Sequence, residues 1–182
     1  MELPQMDETA LHAAWADVRQ HVPQPQAIAV LRLGDDRSML AWGTGVEPAQ
    51  VSPLPLGLLG LAHRLLPAGR LSALAIENTM AEVEDIVMPW HGQLPASAQL
   101  FTDDAAMAEL ARWAGMPDAD RSWSLTTEAV EHLFNRWVAL AQGRPASQDE
   151  LPTTGRFSAT LLVLREWLHH LGFVGITIRR RP

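Results

Sequence analysis

Apolar residues along this chain fall into helical spacing in some stretches and into short unbroken runs in others. That alternation predicts the layout. Leu11, Trp15 and Val18 share one face of a first helix, capped by Asp7 or Thr9 and ended near His21 by the run VPQPQ, Val22 to Gln26. Ala27–Leu33 and Ser38–Trp42 are apolar runs joined by Gly34-Asp35-Asp36-Arg37, which predicts a β-hairpin. A Pro-rich loop from Glu47 to Pro55 leads into an apolar helix over about Leu56–Leu66, with Gly57 and Gly60 inside it. Those glycines imply close packing, since each costs about 1 kcal/mol relative to Ala in a helix interior.

Arg70 to His91 admits two readings. Ile76, Met80, Val83, Val87 and Trp90 form an apolar seam at helical steps, which suits a single long helix. The alternative is a strand over Leu71–Ile76, set off by the breaker Pro67-Ala68-Gly69, then a helix from Thr79. Thr79-Met80-Ala81-Glu82 has the form of a capping box, and Asn78 and Thr79 suit a helix interior poorly. The strand-plus-helix reading is preferred.

Further on, Ser97–Thr102 predicts a strand, and Asp103 and Asp104 stand where the helix Ala105–Ala114 begins, with Gly115 as its C-terminal stop. Met116–Ser124 reads as a loop. Thr126 or Thr127 caps a helix to Gln142, and a polar linker, Gly143–Thr154, precedes a helix over Phe157–Leu171. Val174–Arg179 is a candidate closing strand. The expected fold class is α/β (or α+β): a small mixed sheet with a β-hairpin, covered by about six helices, with a mainly helical C-terminal third. Residues 1–182 are expected to form a single globular domain, with a helical C-terminal subdomain from about residue 124 as an open alternative.

Composition changes this picture chiefly by what is missing. There is no Cys and no Tyr, and all 14 basic residues are Arg. Thiolate nucleophiles, Cys-ligated metals, Schiff-base lysines and a Walker A loop are therefore excluded. A net charge of −7 argues against nucleic acid or anionic membrane as a partner. The acidic start MELPQMDET lacks the form of a secretory signal, so a cytoplasmic location is expected, and the all-Arg usage suggests a bacterial source.

Parallel strands at Leu71–Ile76 and Ser97–Thr102 would bring Glu77, Asp103 and Asp104 to one sheet edge, where open α/β folds bind ligands. Those carboxylates could hold Mg or Mn, with His91 assisting as acid or base. The segment LFTDD through ARWAG, Leu100–Gly115, resembles PIN-like metal-dependent nucleases, although the first strand IAVLRLG lacks the acidic residue that family carries there. The competing reading makes Asp103 and Asp104 helix caps. The seven histidines include no H-x-x-x-H pair, and no serine sits in a G-x-S-x-G elbow. Trp123, in the polar stretch Arg121-Ser122-Trp123-Ser124, is a candidate interface anchor.

The leading expectation is a bacterial accessory or binding protein with no cofactor. It would act through protein–protein contacts with a partner or a homo-oligomer. The alternative is a Mg- or Mn-dependent hydrolase of phosphoesters, with Glu77, Asp103 and Asp104 as ligands.

Overall fold

Helix α6 (Gly155–Leu171) has almost no solvent face. Phe157 to Leu164 are buried without interruption, and Glu166, Trp167 and Leu168 follow. A helix apolar on all sides belongs inside a layer rather than on its surface. Around it, in a computed structural model describing residues 8–117, 122–143 and 150–180, pack α2 (Leu58–Leu65), α3 (Ala73–Val87), α4 (Ala105–Trp113) and α5 (Thr127–Ala141).

These helices cover one face of a six-stranded sheet in the order β3-β2-β1-β4-β6-β5. The strands are β1 (Ile28–Arg32), β2 (Ser38–Gly43), β3 (Gln50–Leu54), β4 (Gln99–Thr102), β5 (Ser122–Thr126) and β6 (Gly175–Arg179). β1, β4 and β6 are parallel, whereas β2 pairs antiparallel with both β1 and β3, and β5 antiparallel with β6. Helix α1 (Glu8–His21) lies on the opposite face. Side chains alternate across a strand, so Ala29 and Leu31 join the main core, while Ile28 and Val30 pack with Leu11, Trp15 and Val18 of α1. The mixed α/β class with its hairpin is as the hydrophobic pattern predicts.

Three stretches differ from expectation. Leu71–Ile76 is not a strand: residues 73–87 form one helix, α3, extended by a 3-10 turn over Met88–Trp90. Ser72 is its N-cap, accepting the Ala75 amide at 3.2 Å. Thr79 lies inside the helix and donates its hydroxyl to the Ala75 carbonyl at 2.7 Å, which satisfies the group expected to cap. The long apolar seam therefore outweighs the local capping signal. The Pro-rich Glu47–Pro55 stretch contains β3, an edge strand, where Pro53 is tolerated because an edge position demands no second N–H. The expected loop Met116–Ser124 ends in β5.

Residues after 124 thus supply the end of β5, all of β6 and two helices to the same sheet and core. Residues 118–121 of that loop, 144–149 of the polar linker, 1–7 and Arg181 lie outside the described residues. Near the chain's end, the guanidinium of Arg179 on β6 holds Asp17 of α1 at 2.6 Å. No helix among the described residues is long and apolar enough to cross a membrane.

Candidate functional site

From β1 the chain continues to β2 on one side, and β4 pairs with β1 on the other, so the strand order reverses between β1 and β4. In open α/β sheets a crevice opens at the carboxyl ends of the strands at such a point. Arg32 is the last residue of β1, and Asp103 follows the last residue of β4. Arg32 Nε lies 2.9 Å from Asp103 Oδ1, with side-chain exposures of 25% and 5%.

Asp104 is the N-cap of α4, its Oδ1 accepting the Ala106 amide at 2.9 Å. Its own amide donates to Thr102 Oγ1 at 3.1 Å. Burial raises the Asp104 pKa above the usual carboxylate value, outweighing the opposing pull of the Ala106 and Leu33 amides and of the Arg156 and Arg32 guanidiniums.

The hairpin turn after β1 is pinned to α2. Leu58 and Leu59 donate their amides to the carbonyls of Gly34 and Asp35 at 2.9 and 3.0 Å. Gly57 permits this approach: a Cβ there would lie 2.4 Å from the Asp36 carbonyl oxygen and 2.6 Å from that of Asp35. Ser38 ties the far side of the turn, donating to the Leu56 carbonyl at 2.7 Å. Arg156, in the first turn of α6, forms an ion pair with Asp35. The N-terminal ends of α2 and α6 thus meet this turn, and α4 begins at Asp104, whose carboxylate the Leu33 amide and the Arg156 charge both reach. Such helix ends favour anions.

Of the residues singled out in the sequence, Asp103 and Asp104 stand at this edge. Glu77 does not join them by the expected route: with no strand at 71–76, it is an exposed residue of α3. His91 is also elsewhere. Its Nδ1 contacts the His170 carbonyl at 3.1 Å, near the C-terminal end of α6 and the start of β6, at the opposite end of the sheet. Among the described residues no group of three or more His, Asp or Glu side chains is placed to hold a metal ion. The expected Mg or Mn ligand set of Glu77, Asp103 and Asp104 is therefore not assembled there.

Trp123 is no exposed anchor. It lies on β5 with 3% exposure, in the main core, with Arg112 and Arg180 at 5.7 and 6.0 Å from its ring centroid. Its polar neighbours Ser122 and Ser124 mark strand alternation rather than a loop.

Sequence reasoning missed Arg32 and Arg156 and took Asp35 for a turn residue alone. The one available signal was a charged residue, Arg32, inside the apolar run Ala27–Leu33. Arg156 is 121 positions from Asp35, and nothing local announces the pair.

No protein-family model and no curated protein sequence matches the chain. Its fold does match solved structures. A Ppx/GppA family member from Aquifex aeolicus superposes with a TM-score of 0.76 at 12% identity, over 96% of this chain and 58% of that one. The type II variant of the Aquifex aeolicus Ppx/GppA phosphatase gives 0.74 at 12%, over 93% and 58%. An exopolyphosphatase from Cytophaga hutchinsonii gives 0.68 at 14%, over 93% and 60%. The chain thus spans about three-fifths of the length of these structures. At such identities the likeness is one of fold. Two of these structures are named as a phosphatase and an exopolyphosphatase, which conflicts with the expectation of a protein–protein interaction module.

Proposed function

We propose that this chain is a phosphatase-type hydrolase acting on phosphoesters or phosphoanhydrides at the β1–β4 edge. The observation that carries the reading is the Arg32–Asp103 ion pair beside the α4 N-cap Asp104 at the point where the strand order reverses, with Asp104 holding its proton more tightly than an ordinary carboxylate. The fold neighbours, phosphatases and an exopolyphosphatase by name, support the same reaction class. Polyphosphate is accordingly the first substrate to try.

In this reading the phosphoryl oxygens face Arg32 and Arg156, whose guanidiniums offset the charge that builds on them in the transition state. Asp104 accepts a proton from the attacking water as its oxygen bonds to phosphorus. The P–O bond to the leaving group breaks, the leaving oxygen takes up a proton from solvent, and Asp104 gives its own proton back to solvent. Asp103 orients Arg32 rather than touching substrate. The Mg or Mn version fits this donor set poorly: Asp103 is engaged by Arg32 and Asp104 by two backbone amides, with Glu77 on α3.

The test is phosphate release from polyphosphate and from p-nitrophenyl phosphate by the purified chain. Asp104→Asn should lower kcat by about 100-fold, in the range typical of a lost general base, with KM little changed. Arg32→Ala should lower kcat and kcat/KM, because it removes a charge that acts in the transition state. Release that is indifferent to both substitutions would end the reading.

A further inference from the structure

Arg156 faces two carboxylates of unequal standing. Asp104 is partly buried and fixed by the Ala106 and Leu33 amides, whereas Asp35 is half exposed at the tip of the hairpin turn and holds Arg156 directly. The Asp35 main chain cannot move with its side chain. Its carbonyl accepts the Leu59 amide at 3.0 Å, and Gly57 packs against the backbone of Asp35 and Asp36 too closely for any Cβ. The carboxylate is therefore an anion held on a short tether beside a cation that the proposed reaction assigns to phosphate.

We propose that Asp35 is a built-in competitor of the phosphate site. Its carboxylate occupies Arg156 when no ligand is bound, is displaced when a phosphoryl group binds, and returns to help expel the phosphate product. This inference rests on the hydrolase reading and adds regulation of its site. Displacement costs little, because an ion pair between half-exposed partners is weakened by solvent screening. Once displaced, the carboxylate stays within reach of the bound anion and repels it. Both effects weaken phosphate binding, and both vanish in Asp35→Asn, which keeps the pinned carbonyl and the size of the side chain.

The experiment is calorimetric titration of inorganic phosphate into the full chain at low ionic strength, for wild type, Asp35→Asn, Arg156→Ala and Arg32→Ala. Asp35→Asn should bind phosphate on the order of threefold more tightly than wild type, the factor an exposed ion pair supplies. Arg156→Ala should bind more weakly. Asp35→Asn should improve binding less in the Arg156→Ala background than in wild type, because only the direct repulsion is left to relieve once that guanidinium is gone. If phosphate binds wild type, is weakened by Arg32→Ala, and is unaffected or weakened by Asp35→Asn, the competitor role is wrong while the hydrolase reading stands. If no variant binds phosphate, or Arg32→Ala binds as well as wild type, the hydrolase reading itself fails and takes this inference with it. Unchanged melting temperatures for Asp35→Asn would show that the turn remains docked.

Discussion

Arg32 and Asp103 pair at 2.9 Å where the strand order reverses, and the carboxylate is almost fully enclosed. Removing the cation deprives this buried carboxylate of the ion pair while keeping its charge, which is more costly than never having had the pair. Arg32→Leu should therefore destabilise the fold by about 2–3 kcal/mol, below the full value for a buried pair because Arg32 is one-quarter exposed. The double variant Arg32→Leu/Asp103→Leu should recover much of that loss. Urea unfolding of the two variants checks both statements.

Asp104 gives a pH signature of defined sign. Burial raises its pKa in the folded chain, so the folded state binds this proton more tightly than the unfolded state does. The penalty is present at pH values above the raised pKa and is relieved as pH falls through it. Asn caps helices as well as Asp does. Asp104→Asn should therefore melt at a higher temperature than wild type at pH 7, and the gap should close toward pH 4. A melting difference constant across that range would mean that the charge is not what burial opposes.

The true cap of α3 can be separated from the apparent one. Ser72→Ala removes the acceptor for the Ala75 amide and should cost about 1 kcal/mol. Thr79→Val removes only a hydroxyl bonded back to the Ala75 carbonyl, which its own helix already engages, and should cost less. If a separate helix began at Thr79, the order would be reversed. Denaturant titration of the two variants ranks them.

Gly57 is needed for space rather than for dihedral freedom, since its φ of −114° suits any residue. Gly57→Ala would drive a methyl into the Asp35 and Asp36 carbonyls. The expected cost is about 1–3 kcal/mol for overpacking, together with a loss of phosphate release as the turn moves off α2. Retention of both stability and activity would show that the turn adapts.

Trp123 offers a test of its burial. Trp123→Ala should destabilise by about 3–5 kcal/mol, the usual cost of truncating a core aromatic. Trp123→Phe should cost much less, because the indole nitrogen has no hydrogen-bond partner among the described residues. Neither change should alter the mass measured by light scattering.

What could be read from the sequence was whatever local periodicity encodes. The hairpin around Gly34–Arg37, the caps Asp104 and Thr126, and the helix ending at Gly172 follow from spacing and turn chemistry. At Thr79 two local signals conflicted, and tertiary burial decided: Ala75, Ile76, Thr79, Val83 and Val87 all face the core, which a strand at 71–76 would have broken up. β5 was hidden because Ser122, Ser124 and Thr126 face outward between Trp123 and Leu125, an alternation too short to stand out from a polar loop. The edge site was half legible. Asp103 and Asp104 could be placed by their position after a strand, but the partners that define their chemistry, Arg32 and Arg156, arrive from β1 and α6 through the topology alone.

Pro53 makes the two margins of the sheet chemically unequal. Another polypeptide can zip onto an open margin only if every rung offers both a donor and an acceptor, and the β3 margin lacks one donor. The β5 margin, from Ser122 to Thr126, has neither a proline nor a charge to refuse an incoming strand. Lateral accretion in a partly unfolded or concentrated preparation should therefore proceed from that side alone. A lysine at Ser124 is the change that would discourage it.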